Sequence, residues 1–284
     1  VTETAQWIDA DGVATDLEVS WDVSGRFMPP IVFEEDGIPQ QPGLRLRAVR
    51  HDVRTFMLTL WITAADGPSL RLAMRDLVTK MDPHRGPGAI VFTTPVGDLR
   101  QITCSYASGL EVGEKLGESS GPTVQIAAVT FRAHDPYWAD VADTSAVFTT
   151  GALPNFFPFF PLRLSSSQVV VDTTIDNLGD LDAWPLITIT GPGSVINAAN
   201  LTTGLYLDFG TGSIGTGQSV IIDTRPGAKT VVMQDGLNVF AALSATSALW
   251  SLVPGNNAIR LTMSGADPIT SQISFSYRCK YLSV

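Results

Sequence analysis

The chain has 284 residues, 44% hydrophobic and only 16% charged, with 25 Gly, 18 Pro and a net charge of −10. That length suggests two domains of ordinary size, each able to bury a core without staples. An acidic chain is a poor candidate for general nucleic-acid or anionic-membrane binding, since both need a cationic surface. Residues 1–140 hold 12 Lys+Arg and 19 Asp+Glu, a balance of −7, whereas 141–284 hold 6 and 9 and no Glu, which places a boundary near 140. Low charge with abundant Gly, Thr and Ser fits many short strands joined by tight turns. No apolar run approaches the ~18 residues of a membrane helix. No signal peptide is visible after Val1, and a trimmed N terminus stays open. Cys104 and Cys279 sit in separate halves within alternating segments, as small buried hydrophobes do.

In chain order, Asp9-Ala-Asp11-Gly12, with Asp16 and Glu18 nearby, hints at a calcium loop. An EF-hand loop needs helices on both sides, and Val13–Trp21 alternates like a strand, so a solvated turn is expected. Gly43–Arg50 alternates Leu44, Leu46 and Ala48 against Arg45 and Arg47, with Arg50 falling on the apolar parity, as in a strand nearing solvent. Arg54–Thr63 places Phe56, Leu58, Leu60 and Ile62 on one face and Thr55, Met57, Thr59 and Trp61 on the other; both are largely apolar, which predicts cover on both sides.

One helix is predicted over about 68–82: Leu70, Ala73, Met74, Leu77, Val78 and Met81 fall at helical spacing. Pro68 suits its first turn, Asp66 or Gly67 can cap it, and Asp82-Pro83 ends it. Strands resume at Ala89–Thr94 and Leu99–Tyr106, and Glu111–Gly121 reads as a polar hairpin tip. Val124–Ala133 alternates and runs into Asp135-Pro136, which cannot continue a ladder because proline has no N–H. Tyr137 and Trp138 follow and can pack over the strand end.

Residues 141–167 read as a Pro/Phe-rich connector. In Leu153-Pro-Asn-Phe-Phe-Pro-Phe-Phe-Pro161 three prolines forbid a regular helix, and Phe156, Phe157, Phe159 and Phe160 are costly in water. They either plug the core or dock on a neighbouring subunit. From 168 to 284 strands are expected at Val169–Asn177, Pro185–Thr190, Thr202–Phe209, Ser219–Thr224, Thr230–Gln234, Ala258–Met263 and Thr270–Leu282, with a helix conceivable only at Leu237–Thr246. This spacing suggests an antiparallel β-sandwich or jelly roll.

Motifs for chemistry are sparse. Gly210-Thr-Gly212-Ser-Ile-Gly215 matches a dinucleotide fingerprint, but a strand-like segment follows where a helix is needed. Asp176, Asp180 and Asp182 form an acidic loop that turn chemistry explains. His51, His84 and His134 lack metal-ligand spacing, and no nucleophile elbow appears. Asn200-Leu-Thr202 is a formal glycosylation sequon. The reading is of a non-enzyme without catalytic residues, metal or cofactor.

A strand ending in Phe131-Arg-Ala-His-Asp135-Pro136-Tyr137-Trp138 resembles the distal tail proteins of long-tailed, siphovirus-type bacteriophages, where this motif closes the N-terminal ring-forming domain. Three later features, in order, are similar to that family: Ile175–Asp180 leading into Ala183–Gly191, Gln218–Thr224, and Trp250–Ile259. The resemblance covers about residue 120 onward; the first hundred residues show only compatible patterning.

The resemblance implies a mainly β protein: an N-terminal split β-barrel-like domain at 1–140 and a C-terminal galectin- or carbohydrate-module-like sandwich at 168–284. It further implies a homo-hexameric ring at the tail tip, a structural adaptor between the tail tube and tape measure proteins and the tail-tip hub and receptor-binding proteins. Such a protein is expected in the virion, assembled in the host cytoplasm, with no sequence-specific nucleic acid and no membrane. An acidic ring would repel DNA in transit, unless Arg45, Arg47, Arg50 and Arg54 line its lumen. Two alternatives remain: a stand-alone carbohydrate-binding sandwich using Trp184 or Trp250, and a β-sandwich glycoside hydrolase whose carboxylates come from distant strands.

Overall fold

The computed structural model describes residues 3–284 except 113, 115–116, 150–167, 211 and 268. The chain forms two compact units, Val1–Val141 together with Tyr281–Val284, and Ala142–Lys280. It is mainly β, with antiparallel sheets and a single α-helix among the described residues.

The first unit contains β1 (Thr4–Ile8), β2 (Ala14–Leu17), β3 (Val19–Ser24), β4 (Ile31–Gly37), β5 (Leu44–His51), β6 (Arg54–Thr63), α1 (Gly67–Met81), β7 (Gly88–Thr93), β8 (Leu99–Ser108), β9 (Val124–Ala133) and β10 (Trp138–Asp140). Its main sheet runs β2-β1-β7-β8-β9-β6-β3, with β10 on β8, and does not close into a barrel. The inward parity of β6 supplies Phe56, Leu58 and Leu60, and β9 opposes them with Phe131, Val129 and Ala127. Trp7, Ile90, Phe92 and Ile102 complete the core. Asp66 caps α1, accepting from Ser69 N at 2.8 Å. Leu70, Leu77 and Met81 are buried, but Val78, expected on the inner stripe, is 48% exposed.

The second unit contains β11 (Thr144–Thr149), β12 (Gln168–Asn177), β13 (Leu186–Thr190), β14 (Gly193–Asn200), β15 (Leu205–Asp208), β16 (Ser213–Ile214), β17 (Ser219–Asp223), β18 (Thr230–Met233), β19 (Gly255–Ser264) and β20 (Gln272–Tyr277). One sheet runs β11-β20-β13-β17-β18 and the other β12-β19-β14-β15, with β16 on β14. Trp250 joins the layers: it stacks on Phe275 of the first at 5.8 Å, and its Nε1–H donates to Ala198 O of the second at 3.1 Å. Apolar residues at every second position of both sheets fill the space between, as a sandwich requires.

Several elements depart from the sequence expectation. β11 falls in the stretch read as connector and pairs with β20. β14 lacks a strand signal in the sequence, because beside Ile196 its inward positions are the small or polar Gly193, Ala198 and Asn200, and a register shift between Ser194 and Asn197 breaks the alternation. Leu237–Thr246 is no helix, only a 3-10 turn at Phe240–Ala242. The fingerprint-like Gly210–Gly215 leads through a turn into strand β17. Phe156, Phe157, Phe159 and Phe160 lie outside the described residues.

Candidate functional site

The inward parity of β6 begins with an arginine. Arg54 precedes Phe56, Leu58 and Leu60 on the same face and is fully buried. A buried cation must be hydrogen-bonded, and among the described residues no carboxylate bonds this one. Backbone carbonyls do so instead. Nε donates to Pro136 O at 2.6 Å, and Nη1 to Gly25 O at 3.0 Å, Arg26 O at 2.9 Å and Phe27 O at 2.7 Å. Nη2 donates to Leu282 O at 2.7 Å. Burial pushes the guanidinium down to about 10, so it stays charged at neutral pH. Its planar fork thereby ties three segments distant in sequence.

The segment that stops β9 converges on this node. Phe131 stacks on Phe56 at 5.4 Å and on Trp7 at 5.6 Å. Trp138 is buried against Phe56 and Phe92, lies 5.8 Å from the Arg54 guanidinium, and donates from Nε1 to Arg26 O at 3.0 Å. Pro136 is buried and supplies a carbonyl acceptor. Tyr137 is half-buried with its hydroxyl 2.9 Å from His51 Nδ1, and burial, then the nearby Asp135 charge, raises its pKa. Asp135 itself is exposed. Thus Phe131, Pro136 and Trp138 meet at one point, while Tyr137 reaches the base of β5.

Sequence reasoning missed the node's other members, Gly25, Arg26, Phe27 and Leu282, and placed Arg54 with the lumen candidates; its burial removes it from any surface. The signal was present in the alternation, which puts an arginine in register with three core residues. Gly25 has φ +81°, and a Cβ there would lie 2.4 Å from Thr55 O. Only glycine admits this close approach.

Directly after the Gly25–Phe27 turn rises the β4–β5 hairpin, a two-stranded sheet with no third strand among the described residues. The pairing steps from Glu34↔Ala48 to Glu35↔Leu46, leaving Arg47 as the extra residue of a bulge. The bulge resolves the imperfect sequence pattern. Opposed residues share a face, so Ile31, Phe33, Val49, Leu46 and Leu44 form one mainly apolar face, which Glu35 and His51 also share. Val32, Glu34, Ala48, Asp36, Arg45 and Arg50 form the other, with Arg50 paired to Glu34 at 3.3 Å. Arg47 pairs with Asp36. The apolar face is uncovered: Phe33 is 58% exposed and Leu44 63%.

The outer face of β6 is only partly covered, short of the expected cover on both sides: Met57 and Thr59 are half-buried, but Thr55 and Trp61 are exposed. Trp61 is 47% exposed, opposite Ile126 of β9. Isolated two-stranded hairpins are marginal in water, and contiguous apolar patches of this kind mark association surfaces.

In the second unit Trp250 is 1% exposed, so it cannot stack on a sugar, which corrects that part of the carbohydrate-module reading. Trp184 is half-buried with the Lys229 ammonium 5.8 Å from its ring. Asp9 accepts from the N–H groups of Asp11 and Val13, as a turn carboxylate does. Both cysteines are buried, and burial pushes the Cys104 thiol up to about 12.

No family model and no curated protein matches the sequence. Solved structures do. The chain is similar to SPP1 Dit (gp 19.1), described as a paradigm of the hub adsorption apparatus in phages infecting Gram-positive hosts, with TM-score 0.65 and 17% identity over 98% of this chain and 99% of that one. It is also similar to a chain of the phage p2 baseplate in its activated conformation, in strontium and calcium forms, each with TM-score 0.50 and 11% identity over the full length of both chains. At these identities the likeness is one of fold: this chain has the fold of phage tail hub and baseplate proteins from end to end.

Proposed function

We propose that this protein is a structural adaptor of a bacteriophage tail tip that associates with copies of itself into a closed ring. The observation that carries the reading is the coincidence of full-length likeness to a tail hub protein with an uncovered amphipathic hairpin in the first unit. A fold alone does not name a function; the hairpin adds a physical demand, since its apolar face needs a partner.

Repetition of one heterologous contact generates a ring when the rotation closes. Six copies are the number the family resemblance implies. The ring joins the tail tube and tape measure proteins on one side and the hub and receptor-binding proteins on the other, in the virion. The role requires no turnover, and among the described residues no cluster of His, Cys, Asp and Glu is arranged to hold a metal. The solution mass and a projection down the symmetry axis test this: a closed ring supports it, and a monomer at all concentrations opposes it. No observation favours the carbohydrate or hydrolase alternatives.

A further inference from the structure

Tyr281–Val284 belongs to the first unit although the whole second unit precedes it in the chain. Its seat is specific. The Arg100 guanidinium lies 3.8 Å from the Tyr281 ring centroid, and the Tyr281 hydroxyl donates to Asp140 Oδ2 at 3.2 Å. Asp140 in turn accepts from Arg100 Nη1 at 2.6 Å, closing a triangle on β8 and β10. This anchor delivers the next carbonyl, that of Leu282, to Arg54 Nη2 at 2.7 Å. The other terminal nitrogen of the same guanidinium holds Gly25, Arg26 and Phe27, the turn leading into β4.

We propose that Tyr281–Val284 is a latch: seated against Arg54, it fixes the turn from which the β4–β5 hairpin rises and so roots the surface used for self-association. The association half of this statement rests on the ring reading above. A guanidinium is planar and rigid, so its two edges cannot move independently. Removing Leu282 admits water to one edge, and hydrogen bonds to the other weaken as the local dielectric rises. Among the described residues the hairpin pairs with no third strand; beside Arg54, its base is held by the Tyr137–His51 contact and by Trp138 Nε1 on Arg26 O. Because translation reaches this segment only after the second unit, a partial chain lacks the latch, and its hairpin is unrooted. The device keeps incomplete chains out of the assembly.

The test uses the full chain with Tyr281→Ala, which removes the anchor without touching Arg54 or the hairpin, and Tyr281→Phe, which keeps the ring over Arg100. The readout is amide hydrogen exchange at Asp52, whose N–H donates to Pro30 O at 2.8 Å at the hairpin base, and along β4. The latch predicts that Tyr281→Ala speeds exchange there by about ten-fold or more, while β9 stays within about two-fold and Tyr281→Phe stays close to the parent. Unchanged exchange at the hairpin base overturns the latch, and so does an equal rise across β9, which would mark general loosening. Sedimentation separates the two proposals. A parent chain that never associates contradicts the ring while the exchange result still decides the latch; a parent that associates should weaken by about ten-fold in Tyr281→Ala.

Discussion

Arg54 donates to the carbonyl of Leu282 across 2.7 Å, joining the start of β6 to a residue 228 positions later. A cation in a core without a carboxylate is unusual, and here backbone carbonyls replace the counter-ion. Breaking a buried charged network costs more than forming it gains, because the remaining groups are left unsatisfied. Arg54→Met should therefore destabilise the first unit by about 3–5 kcal/mol. Arg54→Lys should recover less than half of that, since an ammonium lacks the planar fork. Denaturant unfolding followed by a first-unit probe measures both.

Gly25→Ala meets two costs at once. The residue has φ +81°, and the added Cβ would sit 2.4 Å from Thr55 O and 2.9 Å from Phe56 Cα, both backbone atoms that cannot rotate away. A loss of about 2–4 kcal/mol in unfolding free energy is expected. Gly12→Ala, also at positive φ but with no atom within 4 Å of the added Cβ, should cost only about 1 kcal/mol and serves as the control.

Leu46→Glu, on the uncovered hairpin face, should leave the monomer's stability within about 0.5 kcal/mol and abolish self-association. Equilibrium unfolding and sedimentation on the same sample report the two effects separately. An unaltered assembly would show that this face is not the contact.

The Arg225 side chain beside Asp223 holds its carboxyl below the ordinary range, with Nη2–H donating at 2.6 Å. A depressed folded-state pKa means that the unfolded chain binds more protons at low pH. The contribution is thus full above the unfolded value of about 3.9 and is lost as pH falls through the lowered one. Acid titration of second-unit stability should fall less steeply in Asp223→Asn than in the parent.

The parts of the fold legible in the sequence are those with regular periodicity. β6, β9, β20 and α1 announce themselves because burial on one face writes a period of 2 or 3.6 into the chain. β14 stays hidden because Ala198 and Asn200 occupy two of its inward positions, and the Asn200 amide N–H groups find their acceptors far off in sequence, at Ser251 O and Asn257 Oδ1. The Asp135–Trp138 segment is legible as a hard strand stop, whereas its partner Arg54 is marked only by its place on the inward parity of β6. No local pattern reveals that Gly25, Pro136 and Leu282 present carbonyls to one point, since backbone acceptors carry no side-chain signature. The hairpin's amphipathicity was obscured by a single bulged residue, Arg47, which moves Arg50 off the apolar face.

The most direct test of the central claim is the mass and symmetry of the purified full chain, by sedimentation and by projection imaging at micromolar concentration. A closed ring, six-fold as the resemblance implies, that dissociates in Leu46→Glu is the predicted result. A particle that remains a single chain at every concentration would contradict it.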